Sequence, residues 1–306
     1  MFPAARAGPY QVFDRRAKQV QKDRAAAIAD GSRSRIVDYV RDEVADRLME
    51  RFMDIKRTFT SIVDLGSGAG HFSKLLIPAK VKKSVMIDVS ERLLHRDPDD
   101  MFNVEIERIH GDEEHLLEII PPESQEAVVS CLSMHWVNDL PGTLIQIRRA
   151  LKPDGLFLGA MFGGDTLFEL RTSLQLAELE REGGLSPHVS PMTGTQDVSN
   201  LLGRAGFTML TVDIDEVRIG YPCMWELMRD LQDMGESNTI LGRRSVLHRD
   251  TLLAASSIYK ELHGTKDTEG IPATFQIIYM IGWKPSPTQP KPLAPGSGQV
   301  SLKEVL

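Results

Sequence analysis

The chain has 306 residues, 42% hydrophobic and 26% charged, enough for one large α/β domain with additions or two small ones. Its net charge of −7 argues against a general nucleic-acid binder and suits a cationic partner. No apolar stretch approaches the roughly 20 residues of a membrane span, so membrane contact is expected to be peripheral; two distant cysteines, Cys131 and Cys223, form no C-x-x-C and indicate a reducing compartment.

The opening MFPAARAGPYQVF lacks acids and carries Arg6 alone, a faint match to a mitochondrial transit peptide and consistent with a truncated one. Residues 1–35 then read as an N-terminal arm, rich in Arg, Lys and Ala between Asp14 and Asp30, with a helix in it. Ile36, Val40, Val44, Leu48 and Phe52 recur every four residues and predict one buried helix face. Strands are predicted at 62–65, 84–89, 104–110, 127–134 and 155–162, with helices from about 70 and over 140–151. Alternation of this kind implies a parallel sheet with right-handed crossovers. A helix running from an Asp165 N-cap to about Glu182 and another from Thr195 to Gly206 follow, then a strand at 207–219. Helical patterns at 222–235 and 249–263 precede a last strand at 274–284. The 221–272 segment is therefore expected to be a helical cap on a domain spanning 36–284, and 285–306 a disordered proline-rich tail.

The ligand signal lies at the end of the first strand. IVDLGSGAG (62–70) is an apolar run that stops at Asp64 and turns through Gly66, Gly68 and Gly70, where bare main chain lets a ligand approach. A dinucleotide fingerprint would need glycine at His71. The acid-x-G-x-G-x-G form resembles instead the first motif of class I S-adenosylmethionine-dependent methyltransferases, a Rossmann-like α/β fold. Asp88, ending the second strand twenty residues after Gly68, is placed to accept both hydroxyls of a ribose. Asp112, after the third strand, is placed for an adenine amino group, with Glu113 and Glu114 as alternatives.

On the substrate side, the fourth strand ends in His135-Trp136 and the fifth in Phe162-Gly163-Gly164-Asp165. Trp136 can wall a guanidinium by cation–π attraction, His135 can accept a proton, and Asp165 and Glu169 can receive a cationic arginine. Each also has a plain structural use as packing, a backbone hydrogen bond or a cap. His110-Gly111-Asp112 has only the bare spacing of a metal pair, and Asp112 is better used by adenosine, so no metal site is assigned.

Beyond these motifs, LSMHWVNDLP (132–141), LKPDGLFLGAMFGGDTLFELRTSLQLAELEREGGLSPH (151–188), LLGRAGF (201–207), MRDLQDMGESN (228–238) and LHRDTLLAA (247–255) resemble the mitochondrial complex I assembly factor 5 family. The likeness runs from about Phe13 to Lys284 and is weakest over 104–126. It implies a methyltransferase-like fold with helical additions before the last strand, and S-adenosyl-L-methionine as cofactor. It also implies hydroxylation of an arginine on an iron–sulfur subunit of NADH:ubiquinone oxidoreductase, on the matrix side of the mitochondrial inner membrane, with a second small assembly factor as a companion. Hydroxylation needs an oxidant that no motif here supplies. Two other functions compete: a carboxyl methyltransferase acting on malonyl-acyl carrier protein, which the sheet region also resembles, and a non-catalytic assembly chaperone.

Overall fold

Successive side chains along each strand point to opposite faces of one sheet, and both faces are covered, so the central strands are buried almost continuously. The computed structural model describes residues 11–244, 246–264, 270–290 and 297. Most of the transit-like opening, and most of the proline-rich tail expected to be disordered, lie outside the described residues. Among the described residues the strands are β1 (Phe59–Leu65), β2 (Val81–Asp88), β3 (Glu105–His110), β4 (Gln125–Cys131), β5 (Leu151–Phe162), β6 (Thr208–Tyr221) and β7 (Ile271–Trp283). They form one sheet in the order β3-β2-β1-β4-β5-β7-β6. β7 is antiparallel to both neighbours, pairing Leu156 with Trp283 and Phe162 with Ile277 on the β5 side. The long helices are α1 (Arg15–Ala27), α2 (Tyr39–Asp54), α3 (Leu140–Ala150), α4 (Phe168–Glu182), α5 (Thr195–Ala205), α6 (Met224–Asp233) and α7 (Arg249–His263).

On one face, Ile62, Val129, Leu158 and Tyr279 pack with Val44, Leu48 and Phe52 of α2, Leu170 and Leu174 of α4, and Tyr259 of α7. On the other, Val63, Val128, Phe157 and Ile278 pack with Leu144 and Ile147 of α3 and Val198 and Leu202 of α5. The predicted elements therefore recur with boundaries moved by a few residues. Three expectations change. Ile36 is exposed, because it ends a separate short helix, Ser32–Ile36, ahead of α2. β4 stops at Cys131 rather than continuing to Met134, since Leu132 takes φ +54° and Met134–Trp136 forms a 3₁₀ turn. Asp165 does not cap α4, which starts only after Leu167 at φ +52° and has no side-chain cap.

The 221–272 segment forms the helices α6 and α7 between β6 and β7, with α7 packed along α4. The N-terminal segment, read as an arm, lies across the sheet's carboxyl edge, with α1 against the turn after β2.

Phe52 is fully buried, stacked on Phe59 at 5.4 Å and edge-on to Phe72 at 5.6 Å. Phe52→Ala is expected to cost about 3–5 kcal/mol, since it removes a large side chain from a site with little room to collapse. Urea unfolding followed by circular dichroism measures this, through a lower midpoint at unchanged slope.

Candidate functional site

The site begins after β1, where a turn that only glycine fits leads into the short helix His71–Lys74. Gly66, Gly68 and Gly70 all adopt the left-handed region, at φ +71°, +56° and +79°. A Cβ at Gly66 would overlap the Ser133 side chain and press on Glu113, so the β4 tip packs directly against this glycine. Gly66 and Ser67 donate their backbone N–H groups to Ile87 O at 2.7 and 3.0 Å, fixing the loop to the end of β2.

Asp64 lies fully buried beneath the loop and accepts a hydrogen bond from Ser73 Oγ at 2.6 Å, while its Oδ1 has no hydrogen-bond partner among the described residues. Burial, with a smaller push from Asp88, raises this carboxyl to about 7. Asp88 is fully buried at the tip of β2. It accepts from Gly68 N at 2.9 Å, Ser90 N at 2.8 Å and Lys22 Nζ at 2.8 Å. Asp112 begins the turn after β3, where it accepts from Glu114 N at 3.0 Å and from Arg15 Nη2 at 2.7 Å. Glu113 beside it is fully buried and takes both Arg15 and the Ser133 hydroxyl. Burial opposes its charge, but Arg15, Lys22 and that hydroxyl hold it at about 2.

The cations on these acids share one face of α1. Arg15, Lys18 and Lys22 are spaced three and four apart, so they project together. Arg15 reaches the acids after β3 and Lys22 reaches Asp88. Lys18 stands 3.3 Å from the centroid of the Trp136 ring and donates to Gly235 O and Ser237 O, each at 3.0 Å.

Trp136 and His135, the expected β4-tip residues, are both buried. Trp136 donates Nε1 to Glu236 at 2.7 Å, and Glu236 also pairs with Arg41 at 2.6 Å. Burial resists charge on Glu236, yet His135, Lys18 and Arg41 hold its carboxyl well below the usual range. His135 lies against the Phe162 ring at 4.6 Å, with Nε2 3.6 Å from Glu236 and no hydrogen bond from the described residues to either ring nitrogen. Burial lowers its pKa against the pull of Glu236, which favours neutral imidazole, a form able to accept a proton. Beyond Trp136 opens a cavity of about 510 Å³ whose wall includes Phe162, Leu170, Met228, Glu236 and Ser237.

Asp165 and Glu169 do not join this cavity. Asp165 is exposed and accepts from Gln276 Nε2 at 3.1 Å. Glu169 is buried and spent on β7, accepting from Thr274 Oγ1 at 2.5 Å and Thr274 N at 3.3 Å. The acid that does reach the cavity, Glu236, sits in MRDLQDMGESN, a segment prominent in the sequence without a role for that residue. The α1 cations are also new to the site. Their helical spacing was visible, but not the acids they meet.

A methyltransferase-domain family model matches residues 37–212. The chain is 51% identical over 294 residues to the zebrafish protein named arginine-hydroxylase NDUFAF5, mitochondrial, covering 96% of this chain and 89% of the relative. The chain belongs to the NDUFAF5 arginine-hydroxylase family. The human NDUFAF5 protein is 48% identical over 96% of this chain and 83% of its own length. A malonyl-[acyl-carrier protein] O-methyltransferase from Methylovorus is more distant, 30% identical over 90% of this chain and 94% of its own. Among solved structures, the Bacillus halodurans protein BH2331 shares the fold at TM-score 0.56 and 17% identity, over 78% of this chain and 99% of its own. The NDUFAF5-family chain thus has a methyltransferase-type fold, and the order of its strands places the glycine loop at the reversal between β1 and β4 where such sheets bind ligands.

Asp64 gives this loop a pH signature. Its folded pKa of about 7 lies above the ordinary value, so the folded state gains most from it when both states are protonated, below about pH 4. That stabilisation is lost as pH rises from the unfolded value through 7. Asp64→Asn removes the titration, so the variant's stability relative to the parent is expected to improve between pH 5 and pH 8. Paired denaturant titrations at those two pH values check this.

Proposed function

We propose that this chain is a mitochondrial protein arginine hydroxylase that holds S-adenosyl-L-methionine at the carboxyl ends of β1–β3. Its target would be an iron–sulfur subunit of complex I at an early assembly stage, on the matrix side of the inner membrane. The observation that carries the reading is the 51% identity, across 96% of the chain, to a protein named as a mitochondrial arginine-hydroxylase. No helix among the described residues is long and apolar enough to cross a membrane, so the proposed membrane contact is peripheral. A second small assembly factor would serve as companion.

The residues suit the cofactor. Gly66 has no room for a Cβ, Asp88 ends β2 as a carboxylate, and Asp64 Oδ1 is a buried acceptor without a donor among the described residues. In this reading Gly66, Gly68 and Gly70 shape the loop, Asp64 positions it through Ser73, and Asp88 and Asp112 accept from ribose and adenine once Lys22 and Arg15, which hold them here, give way. When bound, S-adenosylmethionine would supply a sulfonium-linked methyl group. Hydroxylation converts a C–H bond to C–OH and draws on an oxidant from outside the twenty side-chain chemistries. The chain's own residues therefore bind and orient: Trp136 and Glu236 flank the cavity, and neutral His135 accepts a proton.

Two measurements test this reading. Asp88→Asn is expected to weaken S-adenosylmethionine binding by roughly 1.5–3 kcal/mol, through lost charge-assisted hydrogen bonds; unchanged calorimetric affinity removes Asp88 from the ribose site. For the reaction, the protein is offered a complex I iron–sulfur subunit and malonyl-acyl carrier protein in parallel, and both are read by mass spectrometry. One added oxygen on a subunit arginine is the expected result. A methyl group on the carrier points instead to the carboxyl methyltransferase activity of the 30%-identical relative, and two unchanged proteins point to a chaperone.

A further inference from the structure

Lys18 is 1% exposed, yet no carboxylate among the described residues lies within ion-pairing distance of it. Its ammonium is held over the indole face of Trp136, 3.3 Å from the ring centroid, and donates to two main-chain carbonyls, Gly235 O and Ser237 O, at 3.0 Å each. The carboxylate of Glu236, between those carbonyls in sequence, adds long-range attraction. An aromatic face, two convergent carbonyls and a nearby anion make a built receptor for a cation. Trp136, Glu236 and Ser237 also line the 510 Å³ cavity, so the receptor and the cavity share walls.

We propose that this receptor is the subsite for the target arginine's guanidinium, and that Lys18 occupies it as a built-in pseudosubstrate which an incoming arginine displaces. The proposal rests on the arginine-hydroxylase reading for the identity of the substrate, but the subsite itself rests on geometry. A guanidinium fits the same partners better than an ammonium does. It is planar and stacks on an indole, and its N–H groups diverge in one plane toward paired acceptors. Burial disfavours the charged form of Lys18, against the attraction of Glu236. A guanidinium keeps its charge in the same surroundings and is favoured in the exchange. Lys22, one turn along α1 and bound to Asp88, shares a rigid helix with Lys18, so withdrawal of α1 vacates the Asp88 carboxylate at the same time.

The test uses Nα-acetyl-arginine methylamide as probe and the neutral isostere Nα-acetyl-citrulline methylamide as control. Lys18→Gln keeps a donor for the carbonyls and loses the charge. Calorimetry is expected to show the arginine probe binding Lys18→Gln at least tenfold more tightly than the parent, with the citrulline probe gaining nothing. Equal affinity in the two proteins, or citrulline binding as well as arginine, overturns the subsite. A measurement on the unaltered protein stands independently of how the variant folds. Saturating arginine probe is expected to speed amide hydrogen exchange across Arg15–Ala27, and unchanged exchange at saturation overturns displacement. Failure here is distinct from failure of the functional reading. A protein that hydroxylates the subunit but shows none of these changes refutes the subsite alone. One that shows them all without hydroxylating refutes the reading and retains the subsite.

Discussion

Carboxylates buried together at one end of a sheet repel one another and resist leaving water, and the fold must answer both costs. Asp64, Asp88 and Glu113 are each fully buried within this small region. Three answers are used. Asp64 raises its pKa and can go uncharged, whereas Glu113 stays ionised under Arg15. Asp88 takes a third course, combining two backbone donors with Lys22. Helix α1 is therefore part of the site's electrostatic construction: without it, the acids that mark the ligand end of the sheet would stand unbalanced. The same dependence explains why one face of α1 is cationic although its buried residues include two lysines, Lys18 and Lys22.

The parts of the sequence that spoke most clearly were those with local causes. Strand alternation and the four-residue spacing of Val40, Val44, Leu48 and Phe52 reflect burial along one element, and those residues are buried as expected. The glycine turn was legible because its residue type follows from a backbone angle. Ile36 kept the spacing but not the helix, since periodicity does not register a break two residues on. Asp165 and Glu169 meet partners that local spacing does not show either. An acid near a strand tip has the right chemistry, but Thr274 and Gln276 on the neighbouring β7 claim these two. Glu236 went unassigned because its partners Arg41 and Trp136 lie 195 and 100 residues away. A charge network closed over such distances leaves no spacing to read.

Kinship and geometry inform different levels here. Membership in the NDUFAF5 family rests on identity across nearly the whole chain, whereas the methyltransferase fold is shared with proteins of far lower identity. A fold of this breadth does not choose a reaction. In this chain α1 covers the carboxyl edge of the sheet, and the α4 and α6 regions enclose the cavity beside Trp136.

The position of β7 has a consequence for how the molecule reaches this state. β7 lies between β5 and β6 in space but follows both in sequence, with α6 and α7 intervening. During synthesis or threading through a membrane pore from the amino end, β5 therefore presents an open edge, and β6 has no strand to pair with, until residues 271–283 emerge. Exposed apolar edges of this sort invite pairing with other chains. The sheet closes in a late, non-local step whose loop-closure entropy falls on the slow side of folding. Helix α1 must wait as well, because Gly235 and Ser237, which anchor Lys18, lie in the segment leading to that final strand. Completion of the sheet and assembly of the site thus belong to the same closing event, and a chain stalled before β7 would be both aggregation-prone and without a finished site.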